Sequence, residues 1–277
     1  MNWNWNQIFG LSVVGAIVTT TGTLIGLFLK EVFFARSLER WKAKQTLEQI
    51  SQKYREPIAL TALELCNRLT QICEDYPPNF LDSDLLNTSA ERPTLNSAAD
   101  LYFRRYRLIS TVYRLCAFLS WIELYRQDMT YLDAGNNKNK RRVDQAIFAV
   151  RSDLADGQLN TAQDWADWHD ALLFREEQRA IGESMITAVG NARNVLGYAQ
   201  FCDLFPATEQ TGRTRWIKTA AAFFFDMKSA KDFRHIRIQR MIAHLVELVE
   251  ILAPTRLRDD HQRAYSKFSK VLSKDAV

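Results

Sequence analysis

The chain contains few residues that break helices, with only 10 Gly and 6 Pro in 277 residues. That scarcity excludes collagen-like and loop-dominated classes and predicts long helices. Cysteine is equally sparse. Cys66, Cys73, Cys116 and Cys202 form no CxxC and have no histidine at zinc-ligand spacing, so neither a disulfide framework nor a structural zinc site is expected. They read as buried thiols in a reducing compartment. The sequence has no P-loop, GxGxxG, GxSxG or HExxH, which removes the common NTPase, dinucleotide-binding, hydrolase and zincin classes. No cofactor and no metal centre is expected. A formal charge of +4 is too slight to demand nucleic acid, which is not expected as a partner.

The one long stretch without charge runs from Ile8 to Leu29, 22 residues. At about 1.5 Å per residue a helix of that length reaches roughly 33 Å, enough for a hydrocarbon core of about 30 Å. The segment ahead of it, MNWNWNQ, lacks the basic start of a signal peptide and places Trp3 and Trp5 where an interfacial aromatic belt would sit. A single transmembrane anchor over 1–29 is therefore expected, with the lipid bilayer as its partner. Lys30, Arg36, Arg40, Lys42 and Lys44 follow against only Glu31 and Glu39. Basic flanks stay on the cytoplasmic side, so the expected topology is single-pass in the plasma (inner) membrane, amino terminus out. Gly15, Thr19, Gly22 and Gly26 form a stripe of small residues that would let a second copy approach, the expected homo-oligomer face.

Beyond the anchor, 30–53 reads as a juxtamembrane helical stalk and 54–277 as a cytoplasmic helical bundle. The fold class is all-α. Pro57 fits the first turn of a new helix, and 80–100 reads as an irregular connection. The segment 101–132 is apolar nearly all round between Leu108 and Tyr125 and is expected to be a buried core helix. A second span is disfavoured because Arg114 and Glu123 would each cost about 2.5–3.5 kcal/mol in a bilayer. Further helices are expected from about Arg142 to Leu154, across TAQDWADWHDALLFREEQRAIGESMITAVG, over VLGYAQFCDLF, and over TRWIKTAAAFFFDMKSA. A last long one runs from about Lys231 to Leu252, with Ile238, Met241, Ile242, Leu245, Leu248, Val249 and Leu252 inward.

Two groups of polar residues stand out. If a helix starts before His169, then His169, Glu176 and Glu183 align at intervals of seven with Arg179 between them, a stripe able to serve acid–base chemistry or bind a small ligand. Ordinary exposed i, i+3 pairing explains it equally well. Arg234, Arg237, Arg240 and His244 form a basic stripe opposite the apolar face of the last helix, which reads as solvated surface or as a face suited to an acidic partner, a phosphate or an anionic lipid. Lys138, Lys140, Arg141 and Arg142 form a second basic cluster.

YREPIALTALELCNRL at 54–69 and LLFREEQRAIGESM at 172–185 resemble a group of uncharacterised bacterial proteins that join an N-terminal membrane segment to an all-helical cytoplasmic region. The resemblance implies that fold and topology and carries no activity and no site residue. The expected function is a membrane-anchored interaction, scaffold or sensor-effector protein. The alternative is an enzyme or small-ligand sensor built on the 169–183 stripe.

Overall fold

The computed structural model describes residues 5–28, 30, 35–87, 99–129, 138–156, 172–190, 192–204, 212–227 and 232–254. It is mostly helical. In chain order the elements are α1 (Trp5–Phe28), α2 (Ala35–Glu74), a 3-10 turn (Ser83–Asn87), α3 (Ala99–Met129), α4 (Lys138–Ala155), α5 (Arg175–Ser184), β1 (Ile186–Val189), β2 (Ala192–Val195), α6 (Tyr198–Cys202), α7 (Gly212–Ala222) and α8 (Phe233–Leu252). The chain divides into two compact units, Met1–Gln49 with Leu132–Ala134, and Ile50–Tyr131 with Gly135–Val277.

In the first unit, α1 is a 24-residue helix without a charged residue. Its large apolar side chains from Val13 to Phe28 are 49–66% exposed on every side of the helix. The hydroxyls of Thr19, Thr20 and Thr23 bond back to carbonyls four residues earlier, those of Gly15, Ala16 and Thr19, at 2.9, 2.7 and 2.7 Å. Around Gly15, Gly22 and Gly26 nothing lies within 4 Å of an added Cβ. The side chains of Trp3 and Trp5 lie outside the described residues.

In the second unit α3 is the central helix. Leu108, Val112, Leu115, Cys116, Phe118 and Leu124 are completely buried. Among the described residues it is the one helix long and apolar enough to cross a membrane, and 83% of its most apolar 18-residue stretch is buried. α3 packs on α5 and α7, α5 on α7, and α4 on α8. The inward positions expected of α8 are all buried, as a 3.6-residue apolar period requires. Asp232 caps that helix by accepting from Arg234 N at 2.9 Å.

The structure corrects several local expectations. Pro57 does not open a helix but lies inside α2, which runs unbroken from Ala35 to Glu74. The start of the 80–100 connection is not loose: Phe80, Leu81 and Leu85 are buried, and Leu81 O accepts from Asp226 N at 2.7 Å. The helix expected to extend to Gly190 stops at Ser184, and an antiparallel hairpin pairing Ile186 with Val195 and Val189 with Ala192 follows. Its two-residue connection begins at Gly190, whose φ of 60° suits the tight hairpin turn. The C-terminal tail from 255 onward lies outside the described residues.

Gly182 explains why α3 and α5 sit so close. A Cβ there would lie 2.8 Å from Leu119 O and 3.0 Å from Glu123 Cβ, so only glycine fits the existing backbone separation.

Candidate functional site

The 169–183 stripe does not form as expected. Leu172–Phe174 is extended, with Phe174 at φ −61° and ψ 156°, and α5 begins only at Arg175. A continuous helix from before His169 is thus excluded, and His169 itself lies outside the described residues. Glu176, Arg179 and Glu183 do share one face of α5, and all three are exposed. The opposite face, Gln178, Ile181, Gly182 and Ser184, is buried. Glu177 Oε2 accepts from Phe174 N at 2.9 Å, holding the first turn of the helix. Among the described residues no three His, Cys, Asp or Glu side chains gather as a metal site.

The basic residues of α8 are also placed differently from expectation. Arg237 is 0% exposed rather than solvated. It projects under the C-terminal end of α4, donating to Asp153 O at 2.6 Å and Asp156 O at 2.8 Å. There a cation meets the carbonyls that a helix end leaves without intrahelical partners. Burial pushes the Arg237 guanidinium down to about 10, against the opposing pull of Asp153 and Asp156. The Asp153 side chain, 1% exposed, holds Arg240 Nε at 3.2 Å and His244 Nδ1 at 2.5 Å. Burial raises the Asp153 carboxyl above the usual range, while His244 and Arg240 pull the other way. Arg234 forms a fork on Asp232 and donates to Phe223 O and Phe225 O, so it ties α8 to the turn after α7. The stripe is therefore largely a set of interior ties, with Asp153 as the hub.

Next to that hub, a cavity of about 240 Å³ opens between α4 and α8, lined by Arg142, Gln145, Ala146, Ala149, His244, Glu247 and Ile251. Two small alanines make the space, and its charged rim already contains both signs.

A different cation is less well compensated. Arg68 on α2 is 5% exposed and makes one side-chain hydrogen bond, from Nη2 to Ser110 Oγ on α3 at 3.1 Å, while its Nε has no hydrogen-bond partner. Burial, then the neighbouring charges of Arg114 and Arg107, push it down to about 10. Arg68 and Arg107 both stack on the fully buried ring of Phe80, with guanidinium carbons 5.8 and 3.9 Å from its centroid.

Sequence reasoning missed Asp153 and Arg68, although each carries a legible signal. Asp153 falls in the row Ala146, Val150, Asp153 and Leu154, where an apolar residue belongs. Arg68 lies between Leu65 and Ile72 on the buried side of α2. The fold defines a helical bundle with one hairpin; no protein-family model, curated protein or solved structure matches the chain significantly.

Proposed function

We propose that the chain is anchored in a membrane by α1 and presents its helical bundle to another macromolecule, as a scaffold or sensor-effector. The observation that carries this reading is the exposure of α1: 24 uncharged residues whose large apolar side chains from Val13 to Phe28 are 49–66% exposed. A helix apolar all round requires an apolar surrounding, and at about 1.5 Å per residue this one reaches roughly 36 Å, past a hydrocarbon core of about 30 Å. Its threonines satisfy their own hydroxyls within the helix, as a medium without water demands. The basic flank from Lys30 to Lys44 supports an amino terminus outside and a bundle on the cytoplasmic side of the plasma membrane. Open space at Gly15, Gly22 and Gly26 leaves the small-residue stripe with Thr19 available to a second copy. The alternative, an enzyme on the 169–183 stripe, draws no support from three exposed side chains on a short helix.

The test is fractionation followed by pull-down. The protein is expected to resist alkaline carbonate, to be released by detergent, and to emerge with a bound protein or as an oligomer. Recovery in the carbonate wash as a free monomer contradicts the reading.

A further inference from the structure

Among the described residues three arginines are buried, Arg237, Arg105 and Arg68, and Arg237 and Arg68 differ in what answers their charge. Arg237 has two helix-end carbonyls and the Asp153 carboxylate nearby. Arg68 has a hydroxyl and an aromatic ring, and neither carries a negative charge. Its cationic neighbours are Arg107 and Arg114, which recur with Ser110 at i, i+3 and i+7 along one face of α3. Among the described residues no carboxylate lies within 4 Å of Arg68 or Arg114, while Arg107 has Asp75 at 3.2 Å. Removing a charge from water without a counter-charge is among the most unfavourable arrangements in a folded protein, and like charges nearby make it worse. A neutral residue of the same length would fill the position at lower cost.

We propose that Arg68, Arg107 and Arg114 form a binding site for a phosphate monoester. The guanidinium fork matches the planar spacing of phosphate oxygens and binds them in pairs. Asp75 offsets Arg107, so the cluster retains about two unanswered positive charges, equal to the charge of a phosphate monoester above its second pKa of about 6. The other parts of the site are already positioned. Phe80 holds Arg68 and Arg107 over one ring, and Ser110 Oγ, itself donating to Arg107 O at 3.1 Å, accepts from Arg68. The site lies wholly within the second unit and is independent of the membrane reading. The phosphate belongs either to a soluble metabolite or to a lipid headgroup.

The test uses the full-length protein in neutral detergent, at fixed ionic strength set with chloride, titrated with inorganic phosphate and with glycerol 3-phosphate. A parallel arm uses the protein in phosphatidylcholine bilayers with or without phosphatidic acid. The readouts are binding heat and the thermal unfolding midpoint. Binding of phosphate or glycerol 3-phosphate in micelles identifies a soluble ligand; a rise in midpoint confined to bilayers containing phosphatidic acid identifies a headgroup. In both cases Arg68→Met is expected to remove the response and to fold in phosphate-free buffer, because it removes a buried, unanswered charge. Arg114→Gln, at a half-buried position, is expected to weaken binding at least tenfold, and it alone decides the matter should Arg68→Met fail to fold. No response in any arm, or a response that Arg114→Gln leaves unchanged, overturns the proposal.

Discussion

Two apolar helices of this chain, α1 and α3, have opposite surroundings. Of the most apolar stretch of α3, 83% is buried inside the bundle, whereas the large apolar side chains of α1 from Val13 to Phe28 are 49–66% exposed. Their charges separate them. α3 carries Arg104, Arg105, Arg107, Arg114, Glu123 and Arg126, each of which needs water or a partner, and Glu123 obtains Arg126 Nη2 at 2.5 Å and Gln127 Nε2 at 2.8 Å. α1 has no charge to satisfy and closes its hydroxyls on its own backbone. A protein interior can accommodate charged residues by pairing them, whereas a bilayer selects against having them at all.

The comparison is broken most severely by truncating an apolar side chain in each helix. Phe118→Ala in α3 should lower bundle stability by about 3–5 kcal/mol, while Leu24→Ala in α1 should alter the bundle by less than about 0.5 kcal/mol. Denaturant unfolding in detergent measures both, and equal losses would show that α1 packs on protein after all. Introducing a charge acts in the other direction. Ile17→Lys should weaken membrane partitioning by about 2.5–3.5 kcal/mol without moving the unfolding midpoint of the bundle; fractionation and circular dichroism of the same preparation separate the two effects.

Backbone proximity sharpens the contrast further. Gly182→Ala forces a Cβ against Leu119 O and should cost about 1–3 kcal/mol, whereas Gly15→Ala, with open space around it, should leave the bundle midpoint unchanged. The smallest effect is on pH. α1 contains no titratable side chain between Trp5 and Phe28, so its partitioning should be flat with pH. The bundle contains Asp153, whose carboxyl burial raises. A carboxyl raised in the folded state contributes stability that is full below its unfolded value, about 3.9, and is lost as pH rises through the folded one. Between pH 3.5 and 6 the difference in denaturation midpoint should therefore shift towards Asp153→Asn as pH rises. A flat difference would contradict the burial assigned to that carboxyl.

The helical class, the buried α3 and the inward face of α8 were legible because an apolar period repeated over five or more turns leaves little freedom. The hairpin was not, since four-residue strands such as ITAV and ARNV are too short for alternation to outweigh the helical pattern before them. Arg237 and Asp153 were misplaced or missed for a different reason. Charge on a helix was assigned to solvent, although Arg237 lies one residue from Ile238 and four from Met241, in the buried row. Only the three-dimensional meeting of α4 with α8 shows that the two stabilise each other. The same limit applies to Arg68, whose missing counter-charge appears only when its neighbours are known.

The account's central claim, that α1 spans a bilayer, is tested most directly by protease accessibility of the C-terminal bundle in sealed vesicles of both orientations. The prediction is digestion of the bundle in inverted vesicles and protection in right-side-out ones, with α1 retained in the membrane pellet. Equal digestion in both, with the whole chain released to the supernatant, would contradict it.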